Sequence, residues 1–105
     1  MENFSIISNK AKIGKDVKIG RFCIVEDDVE LADGVILEDY AMVLQGTKIG
    51  INTKIGTYTK VGKNVSIGEN CSFTSFCEIR DECHLGNSVI MGSRGTLSAG
   101  TIVED

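Results

Sequence analysis

An apolar residue recurs at every sixth position without a slip: Ile7, Ile13, Ile19, Val25, Leu31, Leu37, Val43, Ile49, Ile55, Val61, Ile67, Phe73, Ile79, Leu85, Met91, Leu97 and Val103. Four residues after each comes a small side chain, including Ala11, Cys23, Ala41, Thr47, Thr53, Thr59, Cys71, Cys77, Cys83 and Gly95. Eight of the twelve glycines directly follow the apolar member: Gly14, Gly20, Gly50, Gly56, Gly62, Gly68, Gly86 and Gly92. A six-residue period with one inward side chain per repeat predicts very short strands wound into a parallel β-helix. With three hexapeptides per coil, residues 18 apart stack in register, about 4.8 Å from each other. The chain then holds nearly six coils in one domain, residues 1–105.

The columns follow from that register. One face stacks Ile7, Val25, Val43, Val61, Ile79 and Leu97 inward; the next stacks Ile13, Leu31, Ile49, Ile67, Leu85 and Val103. The third stacks Ile19, Leu37, Ile55, Phe73 and Met91, where small neighbours such as Cys77 and Gly95 make room for the bulkier pair. Corners need residues that tolerate a left-handed backbone. Asp16, Asp28, Gly34, Gly46, Asn52, Asn64, Asn70 and Gly100 provide them at two corners. The third corner differs: Phe4, Phe22, Tyr40, Tyr58 and Phe76 form one column, continued by Arg94, and hold five of the six aromatic residues. Such a ladder spans roughly 19 Å. It either only supports coil stacking, as cross-strand aromatic pairs do, or meets a partner as an exposed apolar stripe. The interface is the favoured reading, and a closed cyclic trimer would bury three stripes without leaving an open filament.

Composition narrows the partners. The formal charge is −4 and the pI near 4.9, which argues against nucleic acid or an anionic membrane surface. No stretch is apolar for long enough to span a bilayer. The start, Met-Glu-Asn-Phe-Ser, lacks the basic and apolar regions of a signal peptide, so the expected location is the cytoplasm. The four cysteines all fall on the small inward position, where a reduced thiol behaves as a small hydrophobe; no metal site is expected. Between Arg21 and Lys48 lie seven acids and no base, and from Lys48 to Lys63 four lysines and no acid. Ion pairing between adjacent coils is the simple reading of these runs; a lysine belt that meets a phosphate is the other.

The repeat resembles the bacterial hexapeptide acyltransferases over essentially the whole chain. Ile19-Gly-Arg-Phe-Cys-Ile-Val25 through Gly46-Thr-Lys-Ile-Gly50 is most similar to the first half of the UDP-N-acetylglucosamine acyltransferases. The resemblance implies a left-handed helix, trimers, and active sites in clefts between neighbouring subunits. It implies no permanently bound cofactor: acetyl-CoA, or an acyl carrier protein thioester, would be a co-substrate, and a nucleotide-linked or amino sugar the acceptor. The family's active-site frame matches Ile79-Arg80-Asp81-Glu82-Cys83-His84-Leu85-Gly86. Asp81 stands where the family has histidine, and Glu78 where some members have a second one. The only histidine, His84, sits three residues late. Met91-Gly92-Ser93-Arg94-Gly95 resembles the step that contacts the donor, which makes Gly92, Ser93 and Arg94 the donor-site candidates.

A base in such a transferase removes a proton from the attacking hydroxyl or amine. Histidine does so untuned, whereas a carboxylate needs burial or like charge to raise its pKa. Glu78, Asp81 and Glu82 could raise one another, or form a solvated acidic patch. An amino sugar needs no protein base. The alternative function is a non-catalytic β-helix serving trimerisation or scaffolding, which the missing histidine and the absence of any loop breaking the repeat favour. A metal hydratase on this fold needs several histidines per site. The chain stops inside a hexapeptide, at Val103-Glu104-Asp105. An open strand edge there is expected to be covered by more of the protein or by a partner.

Overall fold

A computed structural model describes residues 4–105. Among them are 17 two-residue strands, one per hexapeptide from Ile6–Ile7 to Ile102–Val103, and no helix. They form three parallel sheets of six, six and five strands, with every pairing 18 residues apart. The expected left-handed parallel β-helix is observed, a prism extending 37 × 23 × 21 Å. The first face begins with Ile6–Ile7, the second with Lys12–Ile13 and the third with Lys18–Ile19.

The second residue of each strand points inward. Val25, Val43, Val61, Ile79, Leu37, Ile55 and Phe73 are at most 1% exposed. The small position is buried as well, and it is polar more often than a core needs. Thr47, Thr53 and Thr59 donate their hydroxyls to the carbonyls of Gly62, Gly68 and Thr74 at 2.6, 2.8 and 2.9 Å. The same hydroxyls accept from the amides of Val65, Cys71 and Cys77 one coil on. The thiols of Cys23, Cys71, Cys77 and Cys83 replace the hydroxyl as donors, to Glu38, Gly86, Gly92 and Ser98 carbonyls at 3.1–3.2 Å. Threonine and cysteine are thus interchangeable here because each brings one donor on a small stem. All four thiols are free and buried, and burial pushes the Cys23 thiol above its ordinary pKa.

All three corners are left-handed. Asp16, Asn52 and Asn70 lie on one and Asp28 and Asn64 on another, as expected, at φ of 54–61°. The aromatic column takes the same conformation: Phe4, Phe22, Tyr40, Tyr58 and Phe76 have φ between 57 and 64°. A bulky residue held there costs about 1–2 kcal/mol. Stacking offsets this: successive rings lie 4.4–5.5 Å apart with planes within 16°, each contact contributing about 0.5–1.5 kcal/mol. The Arg94 guanidinium closes the column 5.1 Å above the Phe76 ring.

A second device joins the coils. The amides of Lys15, Arg21, Lys63, Glu69 and Asn87 donate to Oδ1 of Asp33, Asp39, Asp81, Asn87 and Asp105, one coil on, at 2.7–2.8 Å. In each case the accepting side chain folds over the glycine before the donor: Gly14, Gly20, Gly62, Gly68 and Gly86. A Cβ on Gly62 would lie 2.5 Å from Asp81 Oδ1 and 2.8 Å from its backbone nitrogen. Those glycines are therefore present for close approach, and an Asp or Asn follows 19 residues later. Gly92 has nothing within 4 Å of such a Cβ. Gly62→Ala should then lower unfolding free energy by about 1–3 kcal/mol through overpacking. Gly92→Ala should leave it within about 0.5 kcal/mol. Urea denaturation of both variants checks the contrast, and equal effects would refute the steric account.

Candidate functional site

Two of the sequence candidates come together. Glu78 lies at the outward position of a first-face strand, Glu78–Ile79. Asp81 follows at the turn into the second face. Both line a shallow groove of ≈ 240 Å³ with Lys60, Gly62, Ile79, Arg80 and Ala99. Gly62, buried between Lys60 and Arg80, is covered by the Asp81 carboxylate, which a Cβ there would meet at 2.5 Å. The Glu78 carboxylate sits 3.8 Å from the Arg80 guanidinium nitrogen Nε. Asp81 has one oxygen engaged by the Lys63 amide at 2.8 Å, in the coil-joining arrangement described above.

The other candidates lie elsewhere. His84 is the exposed outward residue of His84–Leu85 on the second face, around the corner from Glu78, and borders a separate hollow with Ile102, Glu104 and Asp105. Three residues of separation thus become two different faces, because the left-handed corner at Glu82 intervenes. Gly92, Ser93 and Arg94 lie at the aromatic corner, on the opposite edge of the first face from Asp81. There the Ser93 hydroxyl donates to Thr74 Oγ1 at 3.1 Å, and Arg94 stacks on Phe76.

The run of lysines does not form a belt. Lys48, Lys54 and Lys60 are outward on the second, third and first faces respectively. Lys48 approaches Glu30 at 4.0 Å and Lys54 approaches Glu38 at 3.3 Å, each across one coil. Arg21 and Asp39 pair likewise at 3.1 Å. Hydrogen bonds from the Arg21 amide, then from its guanidinium, hold the Asp39 carboxyl below the usual aspartate range. These exposed pairs give modest support, and they explain the alternating charge runs as coil-to-coil matching. The residues that reading from sequence missed are Lys60, Gly62 and Arg80. The signal for them was the 18-residue stacking itself, which sets Gly62 beneath Arg80.

At the aromatic corner the rings are exposed at their edges: Phe22, Tyr40, Tyr58 and Phe76 are 41–50% exposed. Loss of solvation next to Tyr40, then that neighbour's hydroxyl, pushes the Tyr58 phenol above its ordinary pKa. Alongside, on the first face, Ile6, Ile24 and Met42 occupy outward positions. The apolar stripe is thus broader than the ladder alone.

The profile of the family described as bacterial transferase hexapeptide (six repeats) matches residues 10–45 and 46–81. An acyl-[acyl-carrier-protein]--UDP-N-acetylglucosamine O-acyltransferase of Rickettsia bellii is 44% identical over 46 residues, which is 44% of this chain and 16% of that enzyme. A protein of that description from a second Rickettsia bellii strain matches equally. The match therefore spans about one sixth of the length of these curated relatives. The structure of an Arabidopsis UDP-N-acetylglucosamine acyltransferase superposes with a TM-score of 0.51 at 17% identity, over 96% of this chain and 56% of that one. That likeness is one of fold.

The position of Asp81 generates a prediction that separates structure from chemistry. Asparagine does the same joining at Asn87, so Asp81→Asn should fold with stability within about 0.5 kcal/mol of the parent. Asp81→Ala should lose about 1 kcal/mol with its hydrogen bond. Thermal unfolding of the two variants side by side decides it; two equal losses would show that the charge, and not the acceptor, matters.

Proposed function

This chain belongs to the bacterial transferase hexapeptide family, and from that premise we propose that it transfers an acyl group from a thioester to a nucleotide-linked or amino sugar. The observation that carries the reading is the first-face groove. It sets two carboxylates, Glu78 and Asp81, beside two cations, Lys60 and Arg80. In the reaction the acceptor oxygen or nitrogen attacks the thioester carbonyl, the C–S bond breaks, and the thiol leaves with a proton. Glu78 or the free oxygen of Asp81 takes the proton from a hydroxyl acceptor; an amine in its free-base form needs neither. Lys60 and Arg80 face the negative charge of a nucleotide diphosphate. Arg94, held flat by Phe76, offers its edge to a phosphate of coenzyme A or of a carrier-protein prosthetic arm, with Gly92 and Ser93 alongside. The donor is a co-substrate and not a resident group.

The proposal includes a homotrimer packed through the Phe4, Phe22, Tyr40, Tyr58 and Phe76 edge. With that corner nearest the symmetry axis, the first face of one subunit meets the third face of the next. The groove with Glu78 and Asp81 then opens into the cleft, and His84, on the second face, points away from it. His84 acts as base only if subunits meet at another corner. No helix among the described residues is long and apolar enough to cross a membrane, and we place the reaction in the cytoplasm. A second reading is a non-catalytic β-helix for trimerisation. It is favoured by the engagement of Asp81 in coil joining and by the separation of His84 from both carboxylates.

Calorimetric titration with acetyl-CoA, then with an acyl carrier protein thioester, tests the transferase reading. Saturation near one site per subunit, lost in Arg94→Ala, is the expected result. Absence of binding by both donors would leave the scaffold. Where turnover is measured, Asp81→Asn should lower kcat by on the order of 100-fold if Asp81 is the base, and unchanged turnover removes it from the mechanism. The assembly has its own test. Tyr40→Asp with Tyr58→Asp should reduce the mass by light scattering to that of one 11.3 kDa chain, and an unchanged mass would move the interface elsewhere.

A further inference from the structure

The two tyrosines of the chain, Tyr40 and Tyr58, are adjacent rungs of the ladder. They are also the most closely stacked pair in it: their centroids lie 4.4 Å apart, against 5.1–5.5 Å for the other rungs, with planes 8° from parallel. At that separation the two phenol rings are close to van der Waals contact. Both are exposed, at 41 and 50%. The four thiols that would compete for an oxidant are at most 2% exposed. Each ring is held at a left-handed corner, φ 64 and 57°, so the pair is presented by the backbone and does not depend on chance collision.

We propose that Tyr40 and Tyr58 form an oxidative cross-linking site, at which a one-electron oxidant joins the two rings into an intrachain dityrosine. Each phenol gives up one electron and its hydroxyl proton. The two radicals pair at the carbons ortho to oxygen, forming one C–C bond. The two ortho hydrogens move to the oxygens as the rings recover aromaticity, so the chain loses two protons and two electrons in all. The bond closes a loop between residues 18 apart in sequence and ties two consecutive coils together. A cross-link of this span stabilises chiefly by restricting the unfolded chain. The chemistry needs no acyl donor or sugar, but it needs the aromatic edge uncovered: a homotrimer packed through that edge would shield both rings, so the cross-link belongs to the chain outside that assembly, and the light-scattering mass of the sample tells the two states apart.

The test uses photoexcited tris(bipyridyl)ruthenium(II) with persulfate, which accepts the two electrons and becomes two sulfates. The expected product has the mass of one chain less two hydrogen atoms, with dityrosine fluorescence and a linked peptide containing positions 40 and 58. Its yield in the folded protein should exceed that in urea by at least about tenfold, because the rings are already positioned. Tyr58→Phe and Tyr40→Phe keep the stack and should each abolish the intrachain product; the cross-linked parent should melt at a higher temperature than the untreated one. Equal yields in folded and denatured protein, or no coupling, would overturn the proposal. A product formed mainly between chains would overturn it as well.

Discussion

Every feature of this molecule depends on the hydrogen-bonded step of one coil. Backbone amides of each strand donate to carbonyls 17 residues on, as from Lys48 to Val65 and from Gly62 to Ile79. Turn amides donate 19 residues back, as from Asn64 to Gln45. Once that step is set, each residue has a fixed neighbour above and below. The chain satisfies its polar backbone mainly through coil-to-coil contacts, with short bonds inside the turns such as Thr53 to Gly50, which is how a solenoid of two-residue strands remains ordered. No buried side-chain nitrogen or oxygen among the described residues lacks a partner. The hydroxyl and thiol groups of the small position are what complete that satisfaction near the corners.

The same step decides what a functional side chain can do. A groove on this prism is made by columns, and its chemistry is set by residues one coil apart: Lys60 with Glu78, and Gly62 with Arg80. Asp81 illustrates the conflict between the two levels. Its motif position is that of a catalytic group in the family frame, yet its oxygen performs the task that Asp33 and Asp39 perform elsewhere in the stack. An exposed carboxylate can do both, since it has a second oxygen. A fold alone does not assign such a residue to chemistry.

The fold was legible because the six-residue period is local: Ile7 to Val103 can be counted without knowing any contact. The inward columns, the buried cysteines and the room that Gly95 leaves for Met91 all follow from that count. What escaped is relational. The left-handed backbone of Phe22 or Tyr40 was hidden because propensity reserves that conformation for Gly, Asn and Asp; only stacking along the column makes it tolerable. The separation of His84 from Glu78 was hidden because nearness in sequence says nothing about a corner between them. Lys48, Lys54 and Lys60 read as one cluster and stand on three faces, since a coil turns through a face every six residues.

The joining of glycine to a later Asp or Asn makes the two positions interdependent. At Gly20 and Asp39, a methyl group cannot arrive while the carboxylate covers the glycine. The Asp39 backbone nitrogen, 2.8 Å from that methyl, bars it as well, so the coil would also have to shift. Position 32 holds alanine and position 51 isoleucine, which is 40% exposed. That pair lacks both members of the lock. Substitutions at two such positions are thus not independent: a side chain in place of the glycine excludes the carboxylate that would fold over it. Each lock couples two sites a full coil apart, and the effect of changing one member depends on what stands at the other.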